Sequence, residues 1–353
     1  MPASPWSVAI RGNVFLAPGS QKSASARLRT ADSRVLFSQD MYYSDGVTST
    51  ANMVTHTVGT GVVAHSSTVG VRVQASANSD LAVYQSRQYV PYGVGSGQMV
   101  TINAKVASAA TGIVRLGLFD DNATGIGDGF FFQFDGGIKV VQRNAGSDSG
   151  ASQAAWNVDK LDGTGPSGMT LDQGDYNTYV ISFMGGSWVR YGVLYKGEVV
   201  ICHEIALSNV ATTPALDTYS LPVRVESSST GGNGDCSTKY MCVEAEGDGL
   251  GNTSLGSMMR GSPLTTTAGG IVPLMSLRLD SLYKRGLLRP YSASVLCDGS
   301  ENFLWTLYLN GTLTGATFAL APSTFTDGDV AATAVASGKA LLSGQGEAGK
   351  VLD

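Results

Sequence analysis

Residues 129–144, GFFFQFDGGIKVVQRN, hold two short runs of aromatic and β-branched residues separated by Asp135, Gly136 and Gly137. Runs of this length and content, bounded by residues that favour turns, read as β-strands. The same texture repeats on either side. Between about residues 81 and 246, QMVTINAKV, GIVRLGLFD, TYVISFM, SWVRYGVLY, EVVICHEIA, LPVRVES and KYMCVEAE follow one another, most of them bounded by Gly, Asp, Asn or Pro. No helix-period segment interrupts the series. Short strands in succession with turn signals between them predict two packed antiparallel sheets, that is, an all-β chain folded as an antiparallel β-sandwich of jelly-roll type. YKGE at 195–198 predicts a hairpin turn with Gly197 at positive φ, and Asn310-Gly311 predicts a second hairpin.

Outward from this block the signal weakens. Residues 1–45, rich in Ser, Ala and Gly with short apolar pieces, read as an extended N-terminal arm. VTHTVGTGVVAHSSTVGVRVQAS alternates β-branched and small polar residues with period two, which predicts a hairpin pair and starts the sandwich core at 46–250. Residues 251–270, Gly/Ser/Thr/Met-rich and without core periodicity, read as a linker or loop. Strands return in 271–325, either completing the sandwich or forming a small β subdomain, and 326–353 reads as an extended C-terminal tail.

Composition narrows the function classes. Charged residues are 14% of the 353, and the net charge of −5 carries no basic stripe, so nucleic acid is not an expected partner. No apolar run approaches the roughly 20 residues that span a bilayer, and the N-terminus lacks a signal-peptide pattern. The expectation is a soluble protein made in a cytoplasm, with no membrane partner. The four cysteines, Cys202, Cys236, Cys242 and Cys297, lack disulfide-scaffold or metal-ligand spacing and read as thiols, a Cys236–Cys242 bond staying open as an alternative. No cofactor is expected.

Motifs that suggest chemistry stand or fall on their flanks. Gly163, Gly165 and Gly168 in WNVDKLDGTGPSG (156–168) have the order of a dinucleotide-binding loop, but no helix follows to face a pyrophosphate. With Pro166 they read as tight-turn chemistry. Asp120, Asn122, Thr124 and Asp128 resemble a calcium loop, yet Phe131 stands where a bidentate Glu is needed, so an Asx-capped turn is expected. Glu244 and Glu246 share a strand face, as a wet face would also have it, and Asp120–Asp121 is the other acid pair. His203 and Glu204, adjacent on a strand, point to opposite faces, while His56 and His65 have no partner motif. Catalytic elbows, P-loops and zinc motifs are missing, so the chain is expected not to be an enzyme. Trp188, Tyr191, Tyr195, Tyr89 and Tyr92 lie beside turns or alternate with polar residues and are the candidates for a contact or glycan-stacking surface.

QSRQYVPYGVGSGQMVTINAKV, GIVRLGLFDDNATGIGDGFFFQFDGG, WNVDKLDGTGPSGMTLD, GEVVICHEI and LPVRVE, in this order, resemble a family of structural proteins of tailed phages, marine and cyanobacterial ones especially, and of some large algal DNA viruses. The resemblance spans about residues 80–320, and the Trp156–Gly168 segment is its most specific piece. It implies a concanavalin-like or laminin-G-like sandwich and a place in the virion, and it transfers no catalytic residue. The segment is expected to be an ordered loop crossing the sandwich, with Trp156 as its anchor and Asp159, Asp162 and Thr164 capping local N–H groups. The functional expectation is a virion structural protein on the capsid surface (decoration, cement or fibre) or in the tail. It would associate with other virion proteins and form a homo-oligomer, a trimer being one symmetry considered. The alternative is a lectin-like adsorption protein that grips a host surface glycan.

Overall fold

A computed structural model describes residues 33–42, 52–93, 95–109, 111–121, 127–246, 257–260, 264, 271–280, 288, 293, 295–296, 303–323, 326–346 and 351–352. Most of the expected arm and linker, Asn122, Thr124 and Cys297 lie outside the described residues. The sandwich comprises β1 (Ser33–Asp40), β2 (Met53–Val58), β3 (Val62–Ser66), β4 (Gly70–Ala75), β5 (Leu81–Ser86), β6 (Gln98–Ser108), β7 (Gly112–Phe119) and β8 (Gly129–Phe134). It continues with β9 (Ile138–Asn144), β10 (Ser147–Ser152), β11 (Asn177–Met184), β12 (Trp188–Tyr195), β13 (Glu198–Ala206), β14 (Val223–Ser229) and β15 (Gly234–Glu246). One sheet runs β13-β12-β11-β6-β15-β4-β3, with β1 also on β15; the other runs β10-β9-β8-β7-β14-β5-β2. All ladders in both sheets are antiparallel, as the jelly-roll sandwich requires.

The GFFFQF stretch forms the centre of the core. Its period of two sends Phe130, Phe132 and Phe134 inward, where they meet the other sheet: Phe132 lies 5.1 Å from Tyr179 and 5.5 Å from Tyr191, and Phe130 lies 5.2 Å from Phe183. Phe131 faces out. It sits beside Gly117 on β7, while Phe119 sits beside Gly129 on β8, and in each pair a Cβ on the glycine would fall within 3 Å of the aromatic residue. The rings contact each other at 4.8 Å and are capped by guanidinium groups, Arg224 over Phe119 and Arg115 and Arg143 over Phe131.

The same outer face carries a polar ladder across five strands, β5, β14, β7, β8 and β9. Arg224 bonds Gln85 on β5 and Glu226, Arg115 bonds Glu226 at 2.7 Å and Gln133 at 2.9 Å, and Gln133 reaches Asp135, which also takes Lys139. Burial acts to raise the Glu226 carboxyl, but Arg224 and Arg115 outweigh it and hold it below the usual carboxylate range.

Two expectations about the ends are corrected. The expected N-terminal arm runs to residue 45, yet β1 lies inside that span and pairs with β15 from Ser33↔Glu246 to Asp40↔Tyr240, burying Phe37 and Met41 in the core. Its apolar run Val35-Leu36-Phe37 spans a register shift on β15, and Leu36 and Phe37 both pack on the core. The C-terminal tail is likewise paired. Here β16 (Ser276–Leu279), β17 (Val295–Leu296), β18 (Phe303–Leu309), β19 (Thr312–Thr314), β20 (Leu320–Ser323), β21 (Thr326–Asp329), β22 (Ala334–Ala336), β23 (Lys339–Gly346) and β24 (Val351–Leu352) form small sheets of their own. Asn310-Gly311 does not turn β18 back onto β19: β18 pairs with β23 and β19 with β22, so it kinks one continuous ribbon, opposite Ser337-Gly338. Positive φ at Asn310 (56°), Ser337 (59°) and Gly338 (91°) accommodates the kink. YKGE does form the predicted hairpin, with Gly197 at φ 85°.

Asp80 ties two of the connections between the sheets. Its carboxylate accepts from Thr60 N (2.8 Å) and Thr60 Oγ1 (2.6 Å) in the β2–β3 turn, and from Ala77 N (2.8 Å) in the β4–β5 turn. Four donors counting Ser76 N, with the Thr60 hydroxyl the strongest, lower its pKa to about 2. A depressed carboxyl contributes stability above its unfolded pKa that is lost as pH falls through the folded one. Acid titration of the fold, followed by thermal melts, is therefore expected to show a loss between about pH 4 and pH 2 to which Asp80 contributes. Asp80→Asn lowers the melting temperature at pH 7 and flattens that step.

Candidate functional site

The Trp156–Gly168 segment belongs to the connection from β10 to β11, which leaves one sheet, crosses the open side of the sandwich and enters the other. A 3-10 turn at Gln153–Ala155 starts it. Trp156 then drops into the core, with its Nε1 donating to Ala151 O at 3.2 Å, and Leu161, Met169 and Leu171 follow it inward. Between these anchors the backbone lies along β13, the edge strand. Val158 N and Asp159 N both donate to Cys202 O (3.1 Å each), and the Asn157 amide donates to Glu204 O (2.8 Å) and accepts from Glu204 N (2.9 Å). Asn157 thus satisfies the strand edge as a neighbouring strand would.

The loop's own shape rests on two aspartates. Asp159, buried, accepts from Leu161 N and Ser167 N (2.8 Å each), and Asp162 accepts from Thr164 N and Oγ1. Gly163 (φ 86°) and Gly168 (φ 64°) occupy the left-handed region, as tight turns require. Gly165 is constrained differently: a Cβ there would sit 1.9 Å from Asp159 Oδ1. Trp156, the two aspartates and the three glycines therefore act together in one loop; Asp159 and Asp162 cap N–H groups as read from the sequence, whereas the Thr164 hydroxyl, expected to cap as well, donates to Asp162.

At β13 the ladder slips by one residue, so Tyr191 faces His203, Gly192 faces Ile201, and Cys202 offers its carbonyl to the loop. His203 accepts from Asn157 N through Nδ1 (3.3 Å), consistent with a neutral ring whose pKa burial lowers. His65 contacts Met41 O through Nε2 at 3.2 Å. Cys202 and Cys236 are buried thiols and Cys242 is half-buried, none of them bonded to another; Cys236 faces the core and Cys242 the outer face of β15.

The five aromatic contact candidates do not form one surface. Tyr191 is corrected outright: it is fully buried, packed on Phe132, with its hydroxyl donating to Val141 O at 2.8 Å. Trp188 is only 9% exposed, its ring covered by the Arg190 guanidinium at 4.0 Å. Tyr195 is half-buried at the far end of β12, seven residues on, or roughly 24 Å away along a strand. Tyr89 donates to Asp120 (2.8 Å), and Tyr92 stacks on Phe183 at 5.7 Å while its hydroxyl accepts from Gly185 N. A shallow depression of about 380 Å³ lies nearby, lined by Leu207, Pro214, Ala215 and Tyr219.

Neither do the candidate acids converge. Asp120 takes the Tyr89 hydroxyl and Asp121 N, and Asp128 takes Ala145 N and Thr218 N, so both tie separate segments together, while the turn expected to carry Asx caps, residues 122–126, lies outside the described residues. On the outer face of the larger sheet, register places Glu244, Met99, Ser182, Arg190 and Glu204 in one row. Glu204 is ion-paired with Arg190, and four strand spacings put the row's two carboxylates roughly 19 Å apart, against the roughly 5 to 9.5 Å of paired-carboxylate glycoside cleavage. Glu246 follows Glu244 on the same face, opposite Ser33. Among the described residues no group of His, Cys, Asp and Glu is arranged to hold a metal ion, and no helix is long and apolar enough to cross a membrane.

The most exposed apolar side chains lie beyond the sandwich. Met259 (82%), Ile271 (72%) and Leu304 (84%) are largely open, and Leu274, Met275, Leu277, Leu307, Tyr308, Leu341 and Leu342 are exposed as well. Among its described residues this region adds only Ala332 to the buried apolar side chains.

No family model and no curated protein matches the chain. Among solved structures it is similar to a protein of unknown function from Shewanella oneidensis (14% identity, TM-score 0.41, covering 62% of this chain and 88% of that one). It is also similar to a Bacillus licheniformis β-glucanase (12%, 0.39, 61% and 99%) and to an immunostimulatory antigen and pseudo-β-1,3-glucanase of Mycobacterium tuberculosis (8%, 0.42, 59% and 98%). One expectation is thereby corrected. Missing catalytic motifs suggest a chain that is not an enzyme, but the similar structures include glucanases, so that exclusion is dropped.

Trp156→Ala is expected to cost about 3–5 kcal/mol in urea unfolding, as for a buried aromatic that leaves a cavity. Gly165→Ala and Asp159→Ala each destabilise, and their double mutant falls short of the sum, because the added methyl displaces the carboxylate that the second change removes.

Proposed function

We propose that this chain is a structural component of a virion, located on the capsid surface or in the tail and built into the particle by association with its neighbours. The family resemblance of residues 80–320 motivates the reading. The observation that carries it is the contrast between the two parts of the chain. The sandwich buries most of its apolar residues in one core and leaves only scattered ones such as Val58, Leu194 and Val210 exposed, whereas the C-terminal strands leave Leu304, Leu307, Tyr308, Leu341 and Leu342 exposed and bury almost none. Large apolar side chains clustered on a small sheet without a core of its own mark a surface that is covered on assembly. A self-contained sandwich then presents its polar faces outward, while the appended strands supply the contacts that a particle repeats many times.

The test is quantitative mass spectrometry of purified particles with heads and tails separated. The chain is expected in multiple copies in one fraction and in negligible amount in the other; its absence from both would refute the proposal. Deleting residues 271–353 is expected to leave the sandwich folded, by its thermal melt, and to abolish incorporation.

A further inference from the structure

The ribbon of β18 and β23 has two edges of different character. On β23 the edge is blunted: Leu341 is an extra residue in a bulge, since Leu307 pairs with Leu342 and Tyr308 with Ala340, and the strand also carries Lys339 and the glycines Gly344 and Gly346. Bulges and lysines are devices that keep a strand edge from pairing. β18, FLWTLYL, has none of them. It is regular over Phe303–Leu309, without charge, proline or glycine, and among the described residues it pairs with β23 alone. Leu304 on it is 84% exposed.

An isolated two-stranded ribbon is marginal in water, and a third or fourth strand is the usual remedy. The occupant must offer a neutral strand edge and apolar side chains in matching alternation. The β18 sequence meets this requirement when turned on itself. In an antiparallel pairing centred on Thr306, Phe303 meets Leu309, Leu304 meets Tyr308 and Trp305 meets Leu307, and every pair keeps its side of the sheet because antiparallel partners share a face. No like charges are brought together. A two-fold contact of this kind is closed, so it satisfies both open edges at once.

We propose that β18 pairs antiparallel with β18 of a second copy of this chain about a two-fold axis at Thr306, giving a four-stranded sheet in the order β23-β18-β18-β23. This deepens the assembly reading above, on which it rests for its biological setting.

The test uses the full chain. Light scattering after size-exclusion chromatography is expected to show a dimer or a multiple of it, and Trp305→Lys or Leu304→Lys to weaken the association roughly tenfold or more while the thermal melt of the sandwich is kept. Under mild oxidation Thr306→Cys is expected to give a disulfide-linked dimer above the wild-type background. Ser343→Cys, across the ribbon on β23, is expected to give none, because the two β23 strands lie about 14 Å apart, beyond disulfide reach. A monomeric wild-type chain, cross-linking through Ser343→Cys in place of Thr306→Cys, or an oligomer unaffected by both lysine substitutions would each overturn the pairing. A β18 dimer absent from particles would overturn the virion reading alone, and a monomer present in particles would overturn this contact alone.

Discussion

An unpaired strand edge exposes a row of backbone N–H and C=O groups, and in an all-β chain the management of those edges governs everything beyond the core. Among the described residues the two sheets of the sandwich have five edge strands, of which β1 pairs with β15 alone. β10, SDSGAS, is polar and short, β2 has six residues, the last four of them exposed, and β3 has five residues. β13 is different, being long and rich in Val and Ile. It is the edge that receives a cover, from the backbone of 157–159 and the Asn157 amide. The features of the Trp156–Gly168 segment all serve to hold that cover in place. Trp156 is its buried anchor, the capping aspartates stiffen the crossing, and a glycine stands where the chain passes over Asp159.

The outer face of the smaller sheet solves a related problem with charge. Phe119 and Phe131 lie on the side away from the core, next to glycines, and guanidinium groups close over them. Those cations would be costly if unpaired, and Glu226 answers two of them at once. The result is a stiff outer layer in which hydrogen bonds cross from β5 to β9 without involving the core. The carboxylates on this face are committed to that layer.

The C-terminal strands lack both devices on β18. Its neutrality and regular alternation are what a strand needs if its partner is another strand, and they are a liability otherwise. The contrast with β13 within the same chain gives the feature its meaning: one exposed edge is sealed by the chain itself, and the other keeps its apolar side chains open.

The sequence alone determined the class of fold, because period-two alternation and glycine turns depend only on neighbours along the chain. GFFFQF and IKVVQRN became paired strands, YKGE became a tight hairpin, and Asp159, Asp162, Gly163 and Gly168 took the turn roles their side chains favour. Local chemistry could not decide what lies opposite what. Tyr191 alternates with polar residues just as an exposed aromatic would, and only the facing sheet makes it core. β1 looks like an arm until β15 supplies a ladder for it, and Asn310-Gly311 looks like a hairpin until β22 and β23 supply other partners. Gly165 is the clearest case: its turn was legible, but the reason no other residue fits is the Asp159 carboxylate, which only the folded loop brings beside it.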